Sequence, residues 1–325
     1  MVLVLTKTDL ENWLSMEKSV EIVEAFFRDY EDEKYAAPPR MVTSIPEKDA
    51  VWLNMPAHSL HHSGFIVKLI NEYRRNPVVH GLDTANGVVL FFDLETGAVK
   101  GLLDAVSLTA LRTGGIGGVG AKYLAPKKVL TVGMIGSGRT AWTQLTALIA
   151  VRRIEKLRVY SPTKPNRQKF AEKAVKTLGL DAEAVDTPME AVEKSDVVVT
   201  ATNSSEPALS GRWLGPDVHV TSIGALPTRR ELDVETFRRA ELIVADLKKA
   251  VLKEAGDIMA AVEHGVIDAS EVLELHEVVK KGVTRPSRQT VTLLKSVGFA
   301  ALDLFFTAEV LKRAEKEGVG REVEL

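Results

Sequence analysis

From residue 129 onward, strand-like and helix-like stretches alternate, and that alternation leaves few folds open. Strand patterns fit 129–135 (VLTVGMI), 157–161 (LRVYS), 182–186 (AEAVD), 196–202 (DVVVTAT), 219–224 (HVTSIG) and 241–246 (ELIVAD). Amphipathic stretches at 165–178 and 187–194 lie between them. The second has Thr187 as N-cap, Pro188 at the first helical position and Glu190 at the third, the spacing of a capping box. Alternating units of this length predict an α/β fold with a doubly wound parallel sheet.

The first of these strands runs into Gly136-Ser137-Gly138-Arg139-Thr140-Ala141. Gly136 permits a tight turn, Gly138 admits a pyrophosphate close to the backbone, and Ala141 keeps the following helix near the sheet. The loop therefore predicts a bound dinucleotide. An acidic residue at the end of the second strand would accept the ribose 2′-hydroxyl of NAD. Here that strand ends in Ser161-Pro162-Thr163-Lys164, with Arg167 beyond. Two hydroxyls and two cations suit a 2′-phosphate, so NADP(H) is the preferred cofactor, with NAD(H) the other choice. A second glycine cluster, Gly114 to Gly120, lacks the Gly-Lys-Ser/Thr ending of a phosphate loop and predicts close helix packing instead.

The chain has 325 residues, 45% hydrophobic and 26% charged, and a net charge of −2. That length suits two cores, and the near-neutral balance gives no reason to expect nucleic acid or a membrane as partner. Without cysteine, disulfides, thiolate nucleophiles and Cys-ligated zinc are excluded. MVLVLTKTDL lacks a basic leader and is too short for a signal peptide, so a cytoplasmic location is expected. His58, His61 and His62 lie close together, but without an accompanying carboxylate or a zinc spacing, so no metal site is expected. Residues 10–34 have helical periodicity, short strands fill about 51–103, and 93–97 reads as a hairpin turn. After 247 the pattern is mostly helical, and the apolar last helix should pack on the first domain or on a partner subunit.

Lys68 is the only charge in GFIVKLI, a strand with no polar face. Burying an ammonium costs several kcal/mol unless something uses it. Arg40 follows two prolines and Arg112 precedes two glycines in an apolar stretch; both are planar, permanently charged forks suited to a carboxylate.

These features resemble the ornithine cyclodeaminase/mu-crystallin family, which includes an archaeal alanine dehydrogenase and ketimine or Δ1-pyrroline-2-carboxylate reductases. The likeness runs through PPR at 38–40, MPA at 55–57, GFIVKLI at 64–70, HGLDT at 80–84 and LTALRTGG at 108–115. It continues through the glycine loop, ELD at 231–233 and KSVGFAALD at 295–303. The resemblance implies a Rossmann domain (116–295) inserted into a substrate-binding and dimerisation domain built from both chain ends (1–115 and 296–325). It implies Lys68 as the catalytic residue, with Arg40, Arg112 and Met55 binding substrate. To the cofactor it assigns Thr84, Thr113, Thr200, Ala201, Thr202, Gly224, Val297 and Gly298, beside the glycine loop, Ser161, Thr163 and Lys164. Asp303 resembles the family's late acidic residue.

One departure bears on the reaction. The cyclodeaminase and the alanine dehydrogenase of the family carry an Asp after the Gly-Ala at a strand end, where in the cyclodeaminase it handles the amine and activates water, and here Leu226 stands in its place. The expected activity is therefore reduction of a cyclic imine, or of a 2-oxo acid with ammonia, by a homodimer acting on a small amino-acid-like substrate. Ornithine cyclodeamination and a non-catalytic ligand-binding role are the alternatives.

Overall fold

In a computed structural model, residues 1–126, 129–287 and 289–324 are described. In chain order the elements are β1 (Val2–Leu5), α1 (Lys7–Trp13), α2 (Met16–Asp29), β2 (Met41–Ile45), β3 (Ala50–Ser59), β4 (Gly64–Tyr73), α3 (Asn76–Val79), β5 (Ala85–Asp93), β6 (Val99–Asp104) and α4 (Ala105–Leu124). There follow β7 (Leu130–Ile135), α5 (Arg139–Val151), β8 (Ile154–Tyr160), α6 (Lys164–Leu178), β9 (Asp181–Ala184), α7 (Pro188–Val192), β10 (Val197–Thr200), β11 (Val218–Ser222), α8 (Val234–Arg239) and β12 (Ala240–Ala245). The chain ends with α9 (Lys248–Glu254), α10 (Gly256–Glu263), β13 (Leu273–Glu274), α11 (Leu275–Lys281), β14 (Val291–Lys295), α12 (Ala300–Glu317) and β15 (Arg321–Val323). No described helix is long and apolar enough to cross a membrane.

The chain divides into one unit of residues Met1–Arg112 and Phe299–Leu325 and another of Thr113–Gly298. The first boundary falls inside α4, three residues before the expected 115/116. The second falls after Gly298, later than the expected 295/296, because Ser296 to Gly298 remain bonded to Asp246 of the second unit.

The first unit is a seven-stranded mixed sheet in the order β15-β1-β6-β5-β4-β3-β2. β1 runs parallel to β6, and its other neighbour, β15, is antiparallel. Helix α12 packs on one face, held by an aromatic cluster in which Phe26 meets Phe305 edge-on at 5.5 Å and Phe299 at 5.7 Å. The apolar last helix thus covers the first domain's own core. Residues 10–34 form two helices rather than one. The break comes where Ser15 accepts a hydrogen bond from the Lys18 N–H and caps α2.

The second unit is an eight-stranded parallel sheet in the order β13-β12-β14-β11-β10-β7-β8-β9. Alternate strand residues feed two cores: Val132, Val197 and Val199 pack with α5 and α6, while Val198, Val220 and Leu293 pack on the other face. β14 lies in the middle of this sheet, which corrects the mostly helical reading after 247. Its sequence, VTLLK, is short and buried on both faces, so it lacks alternation. The glycines of α4 do serve packing: a Cβ at Gly117 would collide with the Gln144 side chain, and one at Gly120 with Leu294. At α7 the N-cap is as expected, but Glu190 accepts from the Asp186 N–H rather than that of the cap residue, so the box is shifted by one residue.

Candidate active site

In β4, Ile66 and Lys68 point to the face covered by α12, and Phe65, Val67 and Leu69 to the other. Lys68 is 1% exposed. Its Nζ donates to Asp303 Oδ2 at 2.5 Å, and Arg112 Nε donates to Asp303 Oδ1 at 2.9 Å. Asp303 occupies the first turn of α12, where the helix dipole favours a carboxylate. Met55 lies directly across from Lys68 in the β3–β4 ladder and is buried as well.

Burial is the main influence on Lys68 and pulls its ammonium down to about 7. Asp303 opposes that fall, whereas Arg112 and, more weakly, Arg40 add to it. Burial also opposes ionisation of Asp303, but Arg112 and then Lys68 outweigh it, and its carboxyl stays below the usual carboxylate range. The cluster therefore pairs a fixed anion with an amine able to give or take a proton near neutrality.

In the second unit the sheet's direction of winding reverses between β7 and β10, where doubly wound sheets bind ligands. Gly136, at the end of β7, has φ +116°, and a Cβ there would sit 2.3 Å from the Ala201 carbonyl oxygen. Only glycine fits. Gly138 caps α5 with no side-chain bond, and no atom lies within 4 Å of where its Cβ would be. The N-terminus of α5 thus lacks a side-chain cap, and its first-turn N–H groups are of the kind that a pyrophosphate can take up. Ser137 Oγ donates to Ser161 Oγ at 2.9 Å and ties this loop to the end of β8. These residues fit a nicotinamide dinucleotide.

The ornithine cyclodeaminase/mu-crystallin family matches residues 1–318. The chain belongs to that family. It is 34% identical to the alanine dehydrogenase of Archaeoglobus fulgidus over 99% of this chain and 98% of that protein. The structure of Thermococcus litoralis Δ1-pyrroline-2-carboxylate reductase, in complex with NADH and L-proline, superposes with a TM-score of 0.93 at 37% identity, covering 99% of this chain and 100% of that one. An archaeal alanine dehydrogenase dimer with bound NAD gives 0.89 at 32% identity, covering 100% and 99%.

Of the residues singled out in the sequence, Lys68, Arg112 and Met55 fall in one buried cluster, and Arg40 is near enough to depress Lys68. Thr84 precedes β5 and its carbonyl accepts from the Tyr73 N–H. In the second unit the Thr113 carbonyl accepts from Gln144 Nε2, while Thr140 and Ala141 begin α5 after Arg139. Thr200 is fully buried and its hydroxyl donates to Glu231. Arg167 is not an open cation, since it holds the Ser161 carbonyl and Asp186. Ser161 is itself buried, whereas Thr163 and Lys164 are exposed.

The sequence reading missed how much Glu231 and Asp246 organise. Glu231, fully buried, accepts from the Thr200 and Thr202 hydroxyls, the Ser222 hydroxyl and the N–H groups of Thr202, Ile223 and Gly224. It thereby fixes the ends of β10 and β11 beside the reversal point. Asp246 does the same for Val297 and Gly298 after β14. A carboxylate placed by an irregular loop leaves no periodic signal. His62 meets Tyr35, its Nε2 lying 2.8 Å from the phenol oxygen.

Proposed function

We propose that this chain is an NAD(P)-dependent oxidoreductase that reduces a C=N bond, in a cyclic imine such as Δ1-pyrroline-2-carboxylate or in the imine of a 2-oxo acid and ammonia, to an amino acid. The buried Lys68–Asp303–Arg112 cluster carries this reading. The nicotinamide cofactor, when bound, would supply the hydride that reduces the imine carbon. Lys68 gives the accompanying proton to the nitrogen, a role for which an amine near neutrality is suited. Arg112 and Arg40 hold the substrate carboxylate, and Asp303, kept anionic, fixes Lys68 and Arg112 in place. Within the second unit, Thr113, Gly136 to Ala141, Ala201, Thr202, Gly224, Val297 and Gly298 border the cofactor.

No carboxylate ends β8, and Thr163 and Lys164 stand exposed there, which supports NADPH over NADH. A homodimer is supported by the sheet face opposite Lys68. Phe65, Val67, Leu69, Leu90 and Phe92 are only partly buried on it, and Val88 and Met41 are exposed. The archaeal alanine dehydrogenase of the same fold is a dimer.

The direct experiment follows NADPH oxidation with Δ1-pyrroline-2-carboxylate, and separately with pyruvate and ammonium, while proline and alanine are quantified. Turnover with either supports the assignment. Absence of turnover with both, from protein that binds the cofactor, would favour a non-catalytic binder and overturn it.

A further inference from the structure

Arg167 has a side chain only 9% exposed, and its guanidinium lies 5.7 Å over the Tyr160 ring. It donates to the Ser161 carbonyl at 2.9 Å and to Asp186 at 2.5 Å. Its charge is thus fixed behind residues 161–163, the stretch that a doubly wound sheet offers to the 2′ position of a cofactor's ribose. Asp186, just past β9, is 78% exposed and lies on the solvent side of the same pair. We propose that Asp186 is a specificity-determining residue, which offsets the Arg167 charge and so sets how far a 2′-phosphate is favoured over a 2′-hydroxyl.

Arg167 cannot swing out to a ligand without abandoning the Ser161 carbonyl, so it acts through space. Direct contact falls to Thr163 and Lys164, which are exposed at the start of α6. A buried guanidinium is weakly screened and its field reaches the loop surface, while the nearby carboxylate cancels much of it. Removing that carboxylate strengthens attraction for the doubly charged 2′-phosphate and leaves a neutral hydroxyl almost unaffected. Asn at 186 keeps an acceptor for Arg167, and the exposed position tolerates it.

The test uses the full-length protein and Asp186→Asn, titrated with NADPH and NADH by fluorescence and with adenosine 2′,5′-bisphosphate against ADP by calorimetry. The NADPH-to-NADH affinity ratio should rise by about three-fold or more in the variant, and the gain should shrink as salt is added. Arg167→Lys, which keeps the charge but loses the forked contact, should retain part of the wild-type ratio if it folds. An unchanged ratio in Asp186→Asn, or equal shifts for both cofactors, overturns the proposal whatever Arg167→Lys does. This inference rests on the nicotinamide-cofactor reading, and the two fail separately. A wild-type preference for NADH with the Asp186→Asn shift intact refutes the NADPH preference alone. Binding of neither cofactor overturns both.

Discussion

Lys68 Nζ lies 2.5 Å from Asp303 Oδ2 although 235 positions separate the two residues in the chain. The contact makes Asp303 the group that keeps Lys68 protonated against burial and two arginines. Imine reduction requires the ammonium form, so kcat/KM for reduction should be flat at acid pH and fall as pH rises through about 7. The reverse, amino-acid-oxidising reaction needs the free amine and should rise through the same range. Asp303→Asn removes the charge that raises the Lys68 value, so both limbs should move to lower pH. A limb that stays in place, or moves up, would mean that Lys68 does not titrate against Asp303.

Lys68→Met keeps the volume and removes the amine. Arg112 still pairs with Asp303, so the carboxylate is not stranded. Turnover should fall about a hundredfold to ten-thousandfold, the range of a lost acid–base group, with NADPH affinity nearly unchanged. Near-wild-type turnover would reduce Lys68 to a packed strand residue.

How far the sequence reveals this arrangement depends on how local each feature is. The glycine loop and the alternation after 129 are local, and both correspond to the observed β7, α5 and parallel sheet. Lys68 is conspicuous because a charge interrupts an apolar strand. Asp303 is inconspicuous because an acid in a helix's first turn is ordinary capping chemistry, and only the packing of α12 on β4 gives it a partner. β14 escapes notice because a strand buried on both faces shows no alternation, and β1 and β15 because they are only four and three residues long. Arg167 appears in the sequence as a loose cation, and only its distance from Asp186 shows the charge to be engaged.

Ser161→Asp tests the cofactor preference from the other side. It places a carboxylate at the end of β8, next to Ser137 of the phosphate loop. The new charge should repel a 2′-phosphate and can accept from a 2′-hydroxyl, so the order of affinities should invert in favour of NADH. Equal affinities for the two cofactors in the wild-type protein would remove the NADPH preference.

The exposed sheet face predicts the assembly state. Leu69→Arg puts a cation in the middle of an apolar patch without touching the Lys68 side of the strand. Light scattering should report a dimer for the wild type and a smaller species for the variant, with the fold retained by circular dichroism. A wild-type monomer would show that this face meets something other than a second copy.

The last expectation concerns ornithine. A cyclodeaminase must take the ornithine amine through an imine, let the side-chain amine attack, and expel ammonia, which calls for a group that accepts protons and holds the distal ammonium. Leu226, which follows β11 with φ +91°, can do neither. Glu231, five residues on, is fully buried and engaged with the ends of β10 and β11, so it cannot substitute. Reduction of a preformed cyclic imine asks less, since hydride and one proton complete it and Lys68 can supply the proton. Incubation with ornithine and NAD should therefore yield no proline or ammonia above a blank, while the same preparation reduces Δ1-pyrroline-2-carboxylate or aminates pyruvate. Stoichiometric proline and ammonia, at a rate comparable to imine reduction, would overturn this and assign the missing acid's work to Asp303, a carboxylate already in contact with Lys68.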